Sequence, residues 1–148
     1  MFSFMKMAAA LILTSFITTG CVNVATSKVN PQANLAAIKT MYVQHYESDN
    51  SGVNEEIATQ LQAKGVFVTT GAGAPPKDVD AVVFYVDKWR WDITMYMLEL
   101  TVTIKDAKTN QFIATGDSVH TSLTRKSQKD MVTEVINNIY ANQPLVTH

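Results

Sequence analysis

Two strand-like runs constrain this chain more than any other feature: Val79 to Asp87 and Thr94 to Lys105. Both are rich in β-branched, aromatic and other apolar residues, as strands of a sheet that buries a face should be. A tip near Arg90-Trp91-Asp92 separates them, so the pair reads as an antiparallel hairpin. The register that sets apolar on apolar pairs Val82 with Leu100, Phe84 with Leu98 and Val86 with Tyr96. A slip of one residue would turn that face to solvent.

The flanking sequence supplies a cover for the hairpin. Thr40 to Tyr46 is β-branched and aromatic and predicts a first strand. Asp49-Asn50-Ser51-Gly52 is a helix-start cluster; Val53, Ile57, Ala58 and Leu61 then recur at helical spacing, and Gly65 closes the helix. Val66 to Val68 reads as a short strand and Gly71 to Pro76 as a loop. After an Asp106–Asn110 turn, Phe112, Ala114, Gly116 and Ser118 continue the buried face, and their shrinking size predicts a helix lying close over that strand. Ser127 is the expected N-cap of a last helix with the stripe Met131, Val132, Val135, Ile136 and Ile139, ending near Asn142 before Pro144. The expected fold class is α+β: β-α-β-β-β-β-α, a mostly antiparallel four- to five-stranded sheet with two helices on one face, forming a single domain over residues 36–143 with a short tail at 144–148.

Composition matters here mainly because it is uneven. Residues 1–20 hold three of the seven Met and three of the six Phe, with Lys6 as their one charge. Met7 to Ile17 is apolar but far short of the roughly twenty residues that span a bilayer, which fits a signal peptide. The single cysteine follows directly, and Ile17-Thr18-Thr19-Gly20-Cys21 resembles a bacterial lipobox, with Thr18 where a branched aliphatic residue is usual. The resemblance implies that Cys21 is lipidated and becomes the first residue of the mature protein. It also implies, through Val22 rather than Asp at the next place, an outer-membrane anchor with the domain facing the periplasm. A buried N-terminal helix, and ordinary cleavage leaving a free thiol, are the competing readings. Residues 21–35 are polar, include Pro31 and read as a flexible tether.

Twelve basic against thirteen acidic side chains exclude a polyanion binder of the histone kind, and no nucleic-acid partner is expected. One cysteine excludes a disulfide framework or a cysteine-built zinc site within one chain. No metal, cofactor or catalytic residue is expected. His45, His120 and His148 form no ligand pair, and the first two read as surface or edge-strand residues. Ser118 and Ser122 lack a nucleophile-elbow turn, and Gly71-Ala72-Gly73 lacks the helix and Lys of a phosphate loop. The apposition of Glu99 and Asp117 that the expected register creates is read as a local register error. The candidate partner-binding surface is the sheet face opposite the expected core: Tyr85, Trp89, Arg90, Trp91, Met95 and Met97. Ile93 lies on the same face, a lipid could take the partner's place, and the competing readings make the face a second small core under a loop or the N-terminal segment, or a ligand groove.

Several of these segments also carry a family pattern: a helix ending in Gly before a short strand, Asp78-Val79-Asp80-Ala81-Val82-Val83, the turn Asp106 to Thr109, and the helix Met131 to Ile139. Residues 36–143 resemble small outer-membrane lipoprotein domains that share this pattern, and in outline the amino-terminal domain of TolB and the LPS-assembly lipoprotein LptE. The resemblance implies the fold and compartment and brings no catalytic residue. The expectation is a non-enzymatic binding or accessory subunit in envelope assembly or transport. It would be attached to the membrane by its N-terminal lipid, with an envelope protein or glycolipid as partner. A hydrolase with an unpaired carboxylate site and a structural subunit of an oligomeric complex are the alternatives.

Overall fold

The computed structural model describes residues 23–143; the expected signal peptide, the expected lipidation site Cys21 and the expected tail at 144–148 lie outside them. Six strands and two helices follow in order: β1 (Val24–Val29), β2 (Thr40–Gln44), α1 (Val53–Gln62), β3 (Phe67–Gly71), β4 (Ala81–Asp92), β5 (Thr94–Asp106), β6 (Phe112–Val119) and α2 (Gln128–Ala141). The strands form one sheet ordered β1-β6-β5-β4-β2-β3. β2 runs parallel to both β3 and β4, while β4-β5, β5-β6 and β6-β1 are antiparallel. The α+β class with two helices stands; the sheet is mixed and six-stranded rather than mostly antiparallel with four or five strands.

The unanticipated strand is β1, which falls within the stretch expected to be a tether. Its sequence gives a weak signal because an edge strand needs little apolar surface: only Val24 and Val29 are large and apolar, and most of it is exposed. Its backbone pairs with β6 from Val24–Val119 to Val29–Ala114, and the Ser27 hydroxyl donates to the Asn138 carbonyl of α2 at 2.9 Å. Val24–Val29, expected within the tether, is therefore a strand of the sheet.

The β4-β5 register also departs from expectation. Val82 faces Lys105 and Phe84 faces Thr103, where the sequence pattern favoured Leu100 and Leu98. The turn centres on Ile93 between the paired Asp92 and Thr94, and an irregularity follows Lys88. An odd-numbered slip turns β4 over. Ala81, Val83 and Tyr85 face the helices, and Phe84 and Val86 are exposed on the open side. β5 keeps its expected face at Leu100, Val102 and Ile104, all buried in one core with Met41, Val43, Ile57, Leu61, Val135 and Ile139. The open face is polar over β5 and β6, where the Thr103 and Thr115 hydroxyls meet at 3.2 Å and Thr101 donates to Asp117 at 2.7 Å, while Tyr42, Val79 and Val82 form a small second cluster beside Phe84 and Val86. Glu99 lies opposite Val119 and bonds Lys88 at 2.8 Å, so it does not confront Asp117.

Both helices start as their sequences indicate. The Asp49 carboxylate, buried at the α1 entrance, accepts the backbone N–H groups of Ser51 at 2.7 Å and Val53 at 2.8 Å, with Gly52 at φ 74°. The Ser127 hydroxyl accepts the Asp130 N–H at 3.1 Å and caps α2. The expected close approach over β6 is present: a Cβ at Gly116 would lie 2.9 Å from Ile139 Cγ1 and 3.0 Å from Val135 Cγ1. Gly116→Val should accordingly lower stability by about 1–3 kcal/mol despite the higher strand propensity of Val, read as a lower urea midpoint. An unchanged midpoint would mean that α2 can lift from β6 at little cost.

Candidate functional site

β4 and β5 outrun their neighbours. β2 pairs with β4 only as far as Val83, and β6 ends opposite Glu99, so Trp89 to Leu98 form an arm projecting beyond the sheet. The six expected partner-binding residues divide along this arm. Tyr85 and Met97 are core residues, 4% and 1% exposed: the turned β4 carries Tyr85 inward, and the irregularity after Lys88, where Trp89 pairs with Met97 and Leu98 is passed over, brings Met97 to the same face. Trp89 is half-buried against the same core and its indole N–H donates to Asp87 at 2.6 Å. Arg90, Trp91 and Met95 are exposed, Trp91 at 73%. Tyr85, Trp89, Trp91, Met95 and Met97 do share a face, but it is the helix-covered face, which runs out from under its cover at the tip.

Ile93, expected on the same face as Trp91 and Met95, and the unanticipated Leu123 complete the tip: Ile93 is 83% exposed at the turn and Leu123 86% exposed in the loop after β6. The sequence signal of Leu123 is slight, since a lone Leu in Ser122-Leu123-Thr124 has no period. Ile93 has φ 64°, a left-handed conformation that a β-branched residue adopts only under strain and that hairpins normally assign to Gly or Asn. Arg125 braces the tip. Its Nη1 donates to Thr94 Oγ1 at 2.8 Å, its guanidinium lies 4.9 Å from the Tyr96 ring centroid, and Nη2 is 3.9 Å from the Asp92 carboxylate. Ser122 bonds the same carboxylate and Thr124 bonds the Asn23 side chain, so arm, loop and N-terminal end of the domain meet at one place.

A second cluster lies behind the arm. His120, expected at the surface, is buried at 3% exposure, with Nε2 2.8 Å from Glu134 Oε2; the same oxygen accepts from Ser118 at 2.6 Å, and Lys126 Nζ lies 2.7 Å from Oε1. Burial alone would raise the Glu134 carboxyl, but bonds from Lys126, Ser118 and His120 outweigh it and hold the group at about 2. The buried Ser118 hydroxyl gives its proton to a carboxylate and not to an imidazole, so the trio does not have the geometry of an activated nucleophile. It ties the end of β6 to α2.

At the α1 entrance, the Tyr85 hydroxyl donates to Asp49 at 2.7 Å and accepts the Tyr46 N–H at 3.1 Å; burial, with the adjoining Asp49 carboxylate, pushes that hydroxyl well up. The clearly shifted carboxyls among the described residues (Asp49, Asp80, Asp106 and Glu134) all shift downward, the direction of stabilised anions and not of a general acid. Clefts of about 290 and 320 Å³ sit at the sheet end away from the arm, the first with Asp106 and the second with Lys39 and Lys64 as their charged lining residues. Among the described residues no group of three or more His, Cys, Asp or Glu side chains could hold a metal, and no helix is long and apolar enough to cross a membrane.

With this geometry in place, comparison with known proteins establishes the fold alone. No family model and no curated protein matches the chain. Among solved structures, the PelC dodecamer from Paraburkholderia phytofirmans superposes with a TM-score of 0.59 at 16% identity, covering 81% of this chain and 98% of that one. A PDZ domain protein from Parabacteroides distasonis superposes at 0.52 with 13% identity, over 97% of this chain but 41% of its own. TolB from Acinetobacter baumannii superposes more loosely, at 0.47 and 14% identity, over 82% of this chain and 32% of that one.

Glu134 gives a direct test of the second cluster. Its carboxyl titrates lower in the folded protein than its ordinary 4.5, so its stabilisation is complete above that value and is lost as pH falls through about 2. Urea midpoints should drop across that window by the equivalent of about 2 kcal/mol. Glu134→Gln should flatten this part of the pH profile and cost about 1–3 kcal/mol at neutral pH, since Ser118 and His120 lose their anionic acceptor.

Proposed function

We propose that this chain is an outer-membrane lipoprotein, anchored through Cys21 and facing the periplasm, that serves without catalysis as a binding or accessory subunit in envelope assembly or transport. The observation that carries the reading is the projecting arm, whose exposed Arg90, Trp91 and Met95 form a contact surface on a rigid base. Monomeric proteins seldom maintain a cluster of large apolar side chains at a strained tip without a partner for it. The lipobox-like Ile17 to Cys21 supplies the anchor, and the downward-shifted carboxyls support a role without acid-base chemistry.

Two measurements test it. Palmitate should label the wild-type protein and not Cys21→Ser; equal labelling of both would end the lipoprotein reading. Crosslinking in intact cells should recover an envelope component, and Trp91→Ala should reduce that recovery about tenfold while leaving the urea midpoint within about 0.5 kcal/mol of wild type, as expected for an exposed anchor residue. Met97→Ala, by contrast, should cost about 2–5 kcal/mol because it empties a core position.

A second reading, a subunit of a homo-oligomeric ring, is favoured by the likeness to a protein that forms a dodecamer and by the two strands, β1 and β3, at the sheet edges. Light scattering on the Cys21→Ser protein should then give a mass several times that of one chain; a monomer at micromolar concentration would exclude it.

A further inference from the structure

The arm's position relative to the anchor names what it meets. Val24 pairs with Val119, Asn23 bonds Thr124, and Ser122 and Arg125 bond Asp92 and Thr94, so the N-terminal end of the domain and the hairpin tip are parts of one surface. Cys21 stands two residues before Asn23, and two residues span at most about 7 Å. A lipid on Cys21 would therefore hold this end against the leaflet that carries it, and no tether is long enough to let the domain turn the tip away. At that end stand Trp91, Ile93, Met95 and Leu123, four large apolar side chains offered by the hairpin and the loop beside it.

The charges around the tip are largely paired: Lys88 with Glu99, Arg125 with Asp92 and Lys126 with Glu134. Arg90 is exposed and has no ion-pair partner among the described residues. An apolar wedge with Trp at its margin and one free Arg suits the boundary between headgroups and acyl chains, where apolar area rather than net charge drives binding. Ile93 fits the same account. Gly at that turn would relieve the backbone but remove the most protruding apolar side chain of the hairpin.

We propose that the Trp91-Ile93-Met95-Leu123 tip inserts into the interfacial layer of the phospholipid leaflet that holds Cys21, as a second, non-covalent attachment that fixes the domain's orientation. This rests on the lipid anchor proposed above and names phospholipid, in place of an envelope protein, as what the arm of that reading meets. The two clefts at the other end of the sheet would then face away from the membrane.

The test uses full-length protein processed and lipidated in cells, purified and reconstituted into vesicles of phosphatidylethanolamine and phosphatidylglycerol. Part of the lipid is brominated along the acyl chain to quench nearby tryptophan. The two tryptophans report separately: Trp89→Phe leaves Trp91, and Trp91→Phe leaves Trp89. Trp91 emission should fall about twofold or more in brominated vesicles, at low and high salt alike, while Trp89 changes little. Ile93→Gly, which relieves strain and so should fold, should halve the Trp91 quenching. Vesicle-bound, palmitate-labelled protein whose Trp91 is unquenched would overturn insertion while leaving the anchor intact. Recovery of a second copy or another protein crosslinked at Trp91, with no quenching, would overturn it in favour of that occupant. Protein that carries no palmitate and does not float with vesicles would instead defeat the lipoprotein reading on which the proposal rests.

Discussion

The pairing of β4 with β5 is the constraint on which the rest of this structure depends. It joins a twelve-residue strand to a thirteen-residue one at the centre of the sheet, and every other strand attaches to one side of it or the other. Its inner face buries Val83, Tyr85, Leu100, Val102 and Ile104, each contributing on the order of 1.5–3 kcal/mol through removal of apolar surface from water. Those side chains give both helices a surface to cover. They also set which residues leave the cover at the far end, because alternation that begins at Ala81 continues through Trp89 to Trp91.

The arm is a consequence of unequal strand length. Where β2 and β6 stop, the hairpin continues, and the face that was core becomes surface: β4 keeps its alternation, while β5 passes from Leu100 to Met97 across the irregularity. A core-like sequence carried past its cover is exposed because its neighbours are shorter. The loop after β6 braces this extension through Arg125, Ser122 and Thr124, which gives the tip a fixed place relative to Asn23 instead of leaving a free hairpin. Behind it, the Glu134 carboxylate gathers Ser118, His120 and Lys126 and ties α2 to the same end, so arm, loop and helix share one polar base.

Legibility in the sequence tracked the physical source of each signal. Helix stripes such as Met131 to Ile139, the caps at Asp49 and Ser127 and the narrowing of β6 at Gly116 are local or periodic features, and they read correctly. The register of the central hairpin did not. Its tip has no Gly, Asn-Gly or Asp-Gly to mark it, and the Ile93 that occupies the turn is a residue that strand patterning would place within a strand. The turn at Ile93 moves the expected pairing by four residues and the irregularity after Lys88 by one more; that odd total turned β4 over, and Tyr85 and Met97, expected at a surface, lie in the core. β1 went unread because an edge strand is held by backbone pairing, which leaves little trace in side-chain pattern.

By itself, then, the sequence determined the α+β class, both helices and where they start, the existence of a long hairpin, a tip rich in Trp and Met, and a lone cysteine in a lipobox-like setting. Each is encoded within a dozen or so neighbouring residues, where periodicity and capping act. Only the tertiary structure decided which face of the hairpin is covered, that Val24–Val29 closes the sheet edge, that His120 is buried on Glu134, and that the Ser122–Thr124 loop bonds both Asp92 at the tip and Asn23. These depend on strand length, register and the meeting of segments about a hundred residues apart, such as Asn23 and Thr124, which local pattern cannot encode.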